Sequence, residues 1–193
     1  MVNDKPNAEK VGWHPKSTSY PFESKWLTLR TDHIEIEGGE PIDFTYLERP
    51  DAVLIVPVTT DGDIVLIRQY RYTLDEWLLE VPAGGTHDTG DADLEQVARK
   101  ELREETGASC EEMEYVGSFY PFVAHSDEVD HVYVAWGTRL DGQPSWEYTE
   151  NIMLSALPAI DAVKLARSGG MKAGQSALAL VLCESKLRER GYV

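Results

Sequence analysis

The chain has few cysteines, no long apolar run and few basic residues to balance its acidic ones. It contains only Cys110 and Cys183 in 193 residues, and their separation favours buried free thiols over a disulfide framework. No apolar run approaches the roughly 20 residues that a membrane-spanning helix needs. The polar start of the chain also lacks the charged-then-apolar order of a signal peptide. We therefore expect a soluble, cytoplasmic protein with no membrane partner.

The shortage of basic residues leaves a formal net charge of −16. Nucleic acids and anionic membranes bind proteins through basic surfaces, so we expect neither as a partner. A small phosphorylated ligand is compatible with this charge if a metal ion or a few arginines assist locally. With 42% hydrophobic residues, the chain can bury one good core, which favours a single main domain.

The apolar and polar pattern predicts a mixed sheet with helices packed on it. Residues 1–24 are polar and contain three prolines, which predicts an irregular arm. Residues 25–49 then carry two strands around a Gly38-Gly39 turn, which predicts a small antiparallel sheet. Residues 50–193 form the main domain. In that domain we predict strands over 52–59, 63–70, 77–82, 110–120 and 130–138, and helices over 93–106, 157–168 and 175–190.

The predicted helix over residues 93–106 carries three carboxylates at helical spacing. Glu101 and Glu105 are four residues apart, and Glu104 is three from Glu101, so all three can converge on one patch. Hard oxygen donors of this kind suit Mg²⁺ or Mn²⁺. Taken alone, the pattern has an alternative interpretation as a solvated helix face. A glycine-rich loop, Ala83-Gly84-Gly85, precedes this helix.

The loop and the helix together resemble the signature of the Nudix hydrolases. That signature reads glycine, five residues, glutamate, seven residues and then Arg-Glu-apolar-x-Glu-Glu-x-Gly-apolar. Its second half is in register with Glu101, Leu102, Glu104, Glu105, Gly107 and Ala108.

The first half of the signature departs from the family pattern. Lys100 replaces the arginine, so it can pair with a helix carboxylate but cannot offer a bidentate fork. The loop is longer than the pattern. It places the glycine at Gly84 or Gly85 and puts Asp91 or Asp93 near the missing glutamate.

Outside the signature the likeness points to the ADP-ribose pyrophosphatase branch. It rests on residues 66–71, residues 77–84 and Ser126-Asp127-Glu128. The resemblance implies an α/β/α sandwich with a mixed sheet. It also implies a homodimer that exchanges N-terminal strands and shares its site between both subunits. In such relatives an aromatic residue at the position of Trp26 stacks on the base.

The resemblance implies Mg²⁺-dependent hydrolysis of a diphosphate, with Mn²⁺ as a possible substitute. Glu101 and Glu105 are the expected metal ligands, and the resemblance adds the backbone carbonyl of Ala83. Glu104 either ligates directly or bridges through water. The resemblance also places a general base on a late loop, where Glu150 is our first candidate and Glu147 the second.

Substrate binding is expected to involve Arg68, Arg71 and Glu80, besides Trp26. The alternatives are that both arginines are surface residues paired with local acids, and that Glu80 caps the helix or pairs with an arginine. An arginine that binds the adenine end in a relative aligns near Asp43 or Phe44 here, so a preference for ADP-ribose does not carry over.

These residues favour an enzyme that cleaves a nucleoside diphosphate sugar into a nucleoside monophosphate and a sugar phosphate. A Nudix-fold sensor that binds ligand without turnover is one alternative. A hydrolase of dinucleotides or capped RNA is another. The three glutamates of the helix favour the hydrolase of nucleotide sugars, because a sensor has no chemical need for all three.

Overall fold

A computed structural model describes residues 5–25, 27–86 and 93–193. Trp26 and Asp91, which carry predictions above, lie outside the described residues. Two compact units are formed, one by residues 1–50 with 120–128 and one by residues 51–119 with 129–193. The described elements are α1 (Pro6–Lys10), β1 (Trp13–Glu23), β2 (Thr28–Ile36), β3 (Ile42–Glu48), β4 (Ala52–Thr59), β5 (Asp63–Arg71), β6 (Glu76–Glu80), β7 (Ala83–Gly85), α2 (Leu94–Thr106), β8 (Glu112–Phe119), β9 (Asp130–Thr138), β10 (Ile152–Pro158), α3 (Ala159–Arg167) and α4 (Gly174–Glu189).

The smaller unit contains α1 and a three-stranded antiparallel sheet in the order β1, β2, β3. Alternate residues of β2, namely Arg30, Asp32 and Ile34, are buried. This period of two places one face of the sheet against the interior of the unit. The small antiparallel sheet predicted over residues 25–49 is therefore confirmed, with one strand more than expected.

The prediction of an irregular arm over residues 1–24 is wrong for the described part of that segment. α1 and β1 occupy it, and β1 pairs with β2 along its length. β1 is an edge strand, and proline is tolerated at an edge because that side of the strand needs no ladder hydrogen bond. The pairing shifts register between Pro15 and Ser17 and between Ser19 and Phe22, beside the two prolines that suggested a loop.

The larger unit is an α/β/α sandwich around a mixed seven-stranded sheet. The main order is β10, β5, β4, β9, β8, while β6 pairs with β5 and β7 with β4. β4 and β9 run parallel, and the other pairs are antiparallel. α2 packs on one face, and α3 and α4 pack on the other. This layered architecture is the one that the family resemblance implies.

The central strand β4 is buried on both faces. Val53 and Ile55 pack in the cluster that includes α2, whereas Leu54, Val56 and Val58 pack in the cluster with α3 and α4. A continuous apolar run is what a strand between two helical layers requires. The predicted bounds of β4 and β9 agree with the structure.

Two short strands of this sheet were missed. β7 contains two glycines, which have low strand propensity, and it forms because Ala83 and Gly84 pair with β4. β10 has no polar alternation, and its last residues were assigned to the helix that follows. Both cysteines are free thiols, as predicted, with Cys183 buried and Cys110 half-buried. None of the described helices is long and apolar enough to cross a membrane.

Candidate active site

Helix α2 brings acidic side chains to the loop that precedes it. It begins after Asp93, whose side chain accepts a hydrogen bond of 2.8 Å from the backbone N–H of Gln96. It ends at Gly107, where a φ of 69° suits glycine. The buried face of α2 includes Val97, Leu102 and also Glu105. One carboxylate therefore lies on the apolar side of the helix.

Glu105 is only 5% exposed. Its Oε2 accepts a hydrogen bond of 2.9 Å from the backbone N–H of Ala83, the first residue of β7. Burial raises the pKa of Glu105 to about 8, and the N–H of Ala83 opposes this rise. The nearby carboxylates of Glu101 and Glu150 raise the pKa further, while Arg71 lowers it. Glu105 thus lies near two other carboxylates and one guanidinium.

Gly84 lets the loop backbone approach the carboxylate of Glu101. A Cβ atom at Gly84 would overlap that carboxylate, so no larger residue fits without moving it. Gly84, one of the two predicted loop glycines, therefore makes a close approach to this carboxylate. The Glu101 side chain is 14% exposed.

Lys100, at the place of the family's arginine, lies 3.2 Å from Glu104 and 4.0 Å from Glu101. The predicted charge pair with a helix carboxylate is confirmed. The Glu104 side chain is 41% exposed, so of the three helix glutamates it is the one most open to solvent.

The loop before β10 carries both candidates for the general base. Glu147 and Glu150 close a small ring, in which the backbone N–H of Glu147 donates to Glu150 Oε2 at 2.8 Å and the N–H of Glu150 donates to the Glu147 carbonyl at 2.9 Å. The charge of Glu150 contributes to the raised pKa of Glu105.

Two hydrogen bonds attach this loop to the end of α2. The indole N–H of Trp146 donates to the carbonyl of Glu105 at 2.8 Å, and the backbone N–H of Ser145 donates to the carbonyl of Glu104 at 2.8 Å. These carbonyls belong to the last turn, where helix carbonyls lack partners inside the helix. Sequence analysis missed Trp146 because an isolated tryptophan in a polar loop gives no signal of such a contact.

Arg71 and Glu80 form a bidentate ion pair across β5 and β6. Arg71 Nε lies 2.8 Å from Glu80 Oε1, and its Nη2 lies 2.5 Å from Oε2. The hydrogen bonds to Glu80 are the main cause of the raised pKa of Arg71. The charges of Glu105 and Glu150 raise it further. Glu80 is 7% exposed. Its ion pair with Arg71 is one of the two alternatives that the sequence offered for Glu80, pairing with an arginine.

Arg68 is not part of this group. It is three residues before Arg71 on β5, so its side chain points to the opposite face of the sheet. It is exposed and pairs in register with Met153 of β10. The structure thus brings together Glu101, Glu105, Glu150, Arg71 and Glu80, but not Arg68.

The donor set of this site suits a hard divalent cation. Among the described residues, no three His, Cys, Asp or Glu side chains form a ready-made metal site. The carboxylates of Glu101, Glu105 and Glu150 still lie close enough to raise a pKa, and like charges repel without a cation between them. Carboxylate oxygens are the ligands that Mg²⁺ and Mn²⁺ prefer. The donor types present are therefore those that such an ion takes.

The site lies in a region with a family match. Residues 48–168 match the model of the NUDIX domain, which is more than half of the chain. The chain belongs to the NUDIX family. The matched region contains the acidic helix, the glycine loop and the late loop with Glu150.

Two curated relatives and one solved structure agree with this assignment. The chain is 34% identical over 120 residues to the methanol dehydrogenase activator of Bacillus methanolicus, covering 62% of this chain and 64% of that protein. It is 27% identical over 166 residues to the ADP-ribose pyrophosphatase of Bacillus subtilis (strain 168), covering 86% and 89%. The chain thus spans less than two thirds of the first relative's length and most of the second's.

The crystal structure of an ADP compounds hydrolase superposes with a TM-score of 0.78. The superposition covers 93% of this chain and 97% of that one, at 20% sequence identity. It shows that the two proteins share a fold. The predicted resemblance to the ADP-ribose pyrophosphatase branch of the Nudix hydrolases is confirmed.

Proposed function

We propose that this member of the NUDIX family is a Mg²⁺-dependent pyrophosphohydrolase. Its substrate is a nucleoside diphosphate sugar of the ADP-ribose type, and its products are a nucleoside monophosphate and a sugar phosphate. The observation that carries the proposal is the grouping of buried Glu105 with Glu101, Glu150 and Arg71. Carboxylates beside a positioned guanidinium supply both metal ligands and a phosphate-binding group.

Four groups of the chain would hold the metal ion. They are the carboxylates of Glu101 and Glu105 and the backbone carbonyl of Ala83, with Glu104 as a direct or water-bridged ligand. When bound, Mg²⁺ neutralises diphosphate oxygens and stabilises the leaving phosphate, and Mn²⁺ can serve in the same way.

Arg71 is positioned to bind the diphosphate. Glu80 engages Nε and Nη2 of its guanidinium, which fixes the plane of the group. The remaining nitrogen, Nη1, has no hydrogen bond to any residue in the part of the chain that the structure describes. A guanidinium that is held on one side by a buried carboxylate can donate to a phosphate oxygen on the other.

Glu150 acts as the general base in this proposal. The attacking water gives its proton to Glu150 as its oxygen forms a bond to phosphorus, and the bond to the bridging oxygen breaks. The backbone N–H of Glu147 already holds Oε2 of Glu150, which leaves Oε1 for the water. Glu147 remains the second candidate for this role.

The nucleoside is not fixed as adenosine. Asp43 lies 2.8 Å from His33 Nδ1, and the Phe44 ring packs beside Trp13 and Tyr46. Neither residue offers the arginine that binds adenine in a relative. A substrate contact by Trp26, a homodimer and a cytoplasmic location complete the proposal, whereas Arg68, on the opposite face of the sheet, has no part in it. A molar mass in solution of twice that of the chain would support the dimer, whereas the mass of one chain would contradict it.

A substrate screen tests the proposed reaction. ADP-ribose, GDP-mannose, UDP-sugars, CDP-sugars and dinucleotides are incubated with Mg²⁺ or Mn²⁺, and phosphate is measured after phosphatase treatment. We expect turnover of at least one nucleotide sugar, and its loss in Glu105→Gln but not in Glu95→Gln. Glu95 is the matched control, because it lies on the same helix and pairs with Arg99 at the surface. Binding without turnover would instead identify a sensor.

A further inference from the structure

The smaller unit contains an open cavity of about 200 Å³. Three aromatic side chains line it, namely Trp13, Phe44 and Tyr46. The centroid of the Phe44 ring lies 6.3 Å from the centroid of each of the other two, with interplanar angles of 56° and 57°. Rings inclined at these angles are tilted and do not stack on each other. We call this group of three rings the aromatic cage.

Charged groups next to the aromatic cage are mostly acidic. Asp32 lines the cavity and is 2% exposed. Its Oδ1 accepts a hydrogen bond of 3.0 Å from Arg30, which also donates to Glu48 at 2.8 Å. One buried guanidinium therefore serves two carboxylates, and Asp127 adds another carboxylate to the cavity wall. Lys5 also lines the cavity, so three carboxylates, Asp32, Glu48 and Asp127, stand against two cations in or beside it.

Tyr46 already holds two cations of the chain against its ring. Lys5 Nζ lies 5.0 Å from the ring centroid, and the guanidinium carbon of Arg30 lies 5.6 Å from it. Both distances are within the range of cation–π attraction. Arg30 is buried and held by two carboxylates, whereas Lys5 is exposed at the start of α1. Lys5 is therefore the cation that a ligand can replace.

We propose that the aromatic cage binds an organic ammonium ion, with the cationic head between Trp13, Phe44 and Tyr46 and directed toward Asp32. Aromatic faces attract cations, and alkylated ammonium groups are the ligands for which such cages are best suited. The proposal depends only on residues of the smaller unit and does not require the proposed hydrolase reaction.

Choline is the probe, and isothermal titration calorimetry is the measurement. The matched control is 3,3-dimethylbutan-1-ol, which has the same shape without the charge. We expect choline to bind one site per chain and the neutral alcohol to bind much more weakly. Replacing Phe44 by leucine keeps an apolar side chain but removes one aromatic face, which should weaken choline binding by about 2- to 30-fold. Phe44 is 38% exposed, so the fold should tolerate this change.

A second variant tests the role of Lys5. Lys5→Ala removes the internal competitor, so choline should bind more tightly than to the wild type. Lys10→Ala is the control, because it removes the same charge from α1 at an exposed position beside Asn7. Equal effects of the two variants would indicate general surface charge and would overturn the proposal. Unchanged choline affinity in Phe44→Leu, equal binding of the alcohol, or binding of adenine in place of choline would overturn it too.

Discussion

Replacing Glu105 by glutamine should stabilise the metal-free protein while it abolishes hydrolysis. Glutamine has the same shape, and its amide oxygen can still accept the hydrogen bond from Ala83 N–H. It also removes an acidic group. Burial and the nearby carboxylates of Glu101 and Glu150 disfavour the ionised form of that group. A residue that weakens the fold and is required for activity is expected at a metal site, because the ion relieves the repulsion.

The size of the stabilisation follows from the rise in the pKa of Glu105. Its ordinary pKa is 4.5, and in the folded chain it is about 8. A raised carboxyl pKa means that the folded state keeps a proton that the unfolded state releases. Stability is therefore lost as pH rises from 4.5 toward 8. Each pH unit in this window costs about 1.4 kcal/mol, so the cost at pH 7 is about 3 kcal/mol. The glutamine variant avoids this cost.

Urea unfolding in the presence of EDTA measures the effect. The wild type and Glu105→Gln should have similar free energies of unfolding at pH 4.5, and the variant should become progressively more stable up to pH 8. Glu95→Gln, at an exposed site of the same helix, should follow the wild type throughout. The reasoning is refuted if Glu105→Gln is no more stable than the wild type at pH 8.

Three further predictions concern the same site. With a pKa of about 8, Glu105 should release about 0.9 proton when Mg²⁺ binds at pH 7. The heat of binding measured by calorimetry should therefore depend on the ionisation enthalpy of the buffer. The same heat in all buffers would contradict this prediction. Gly84→Ala should lower kcat/KM by about 100-fold by displacing Glu101, while Gly117→Ala, where a Cβ meets open space, should be nearly neutral in the same assay. Glu150→Gln should lower kcat much more than it changes KM in steady-state kinetics, and an equal loss in substrate affinity would count against its role as base.

The sequence was sufficient to predict the larger unit because its signals are local. β4 reads as an uninterrupted apolar run between turn residues, and α2 combines an N-cap, helical periodicity and a C-terminal glycine. The small sheet was only partly predicted. β1 contains two prolines and is mostly exposed, so neither alternation nor composition marks it as a strand. Its formation depends on pairing with β2, which is a non-local contact.

In the candidate site, too, local features could be predicted from the sequence and non-local contacts could not. Glu101 and Glu105 could be predicted because helical spacing and the family signature place them together. The pairing of Arg71 with Glu80 depends on the register between β5 and β6, and the separation of Arg68 from the site depends on which face of β5 each arginine occupies. The contact of Trp146 with the carbonyl of Glu105 joins residues 41 positions apart. No pattern within the loop indicates such a contact.

The most direct test of the central claim is the hydrolysis of ADP-ribose in ¹⁸O-labelled water, followed by mass spectrometry of the products. The account predicts AMP and ribose phosphate, with one ¹⁸O atom in one of the two monophosphates. It also predicts that EDTA or Glu105→Gln stops the reaction. If ADP-ribose is not cleaved, the same measurement is applied to the best substrate of the screen. Absence of labelled monophosphate from every nucleoside diphosphate sugar, or full activity of Glu105→Gln, would contradict the account.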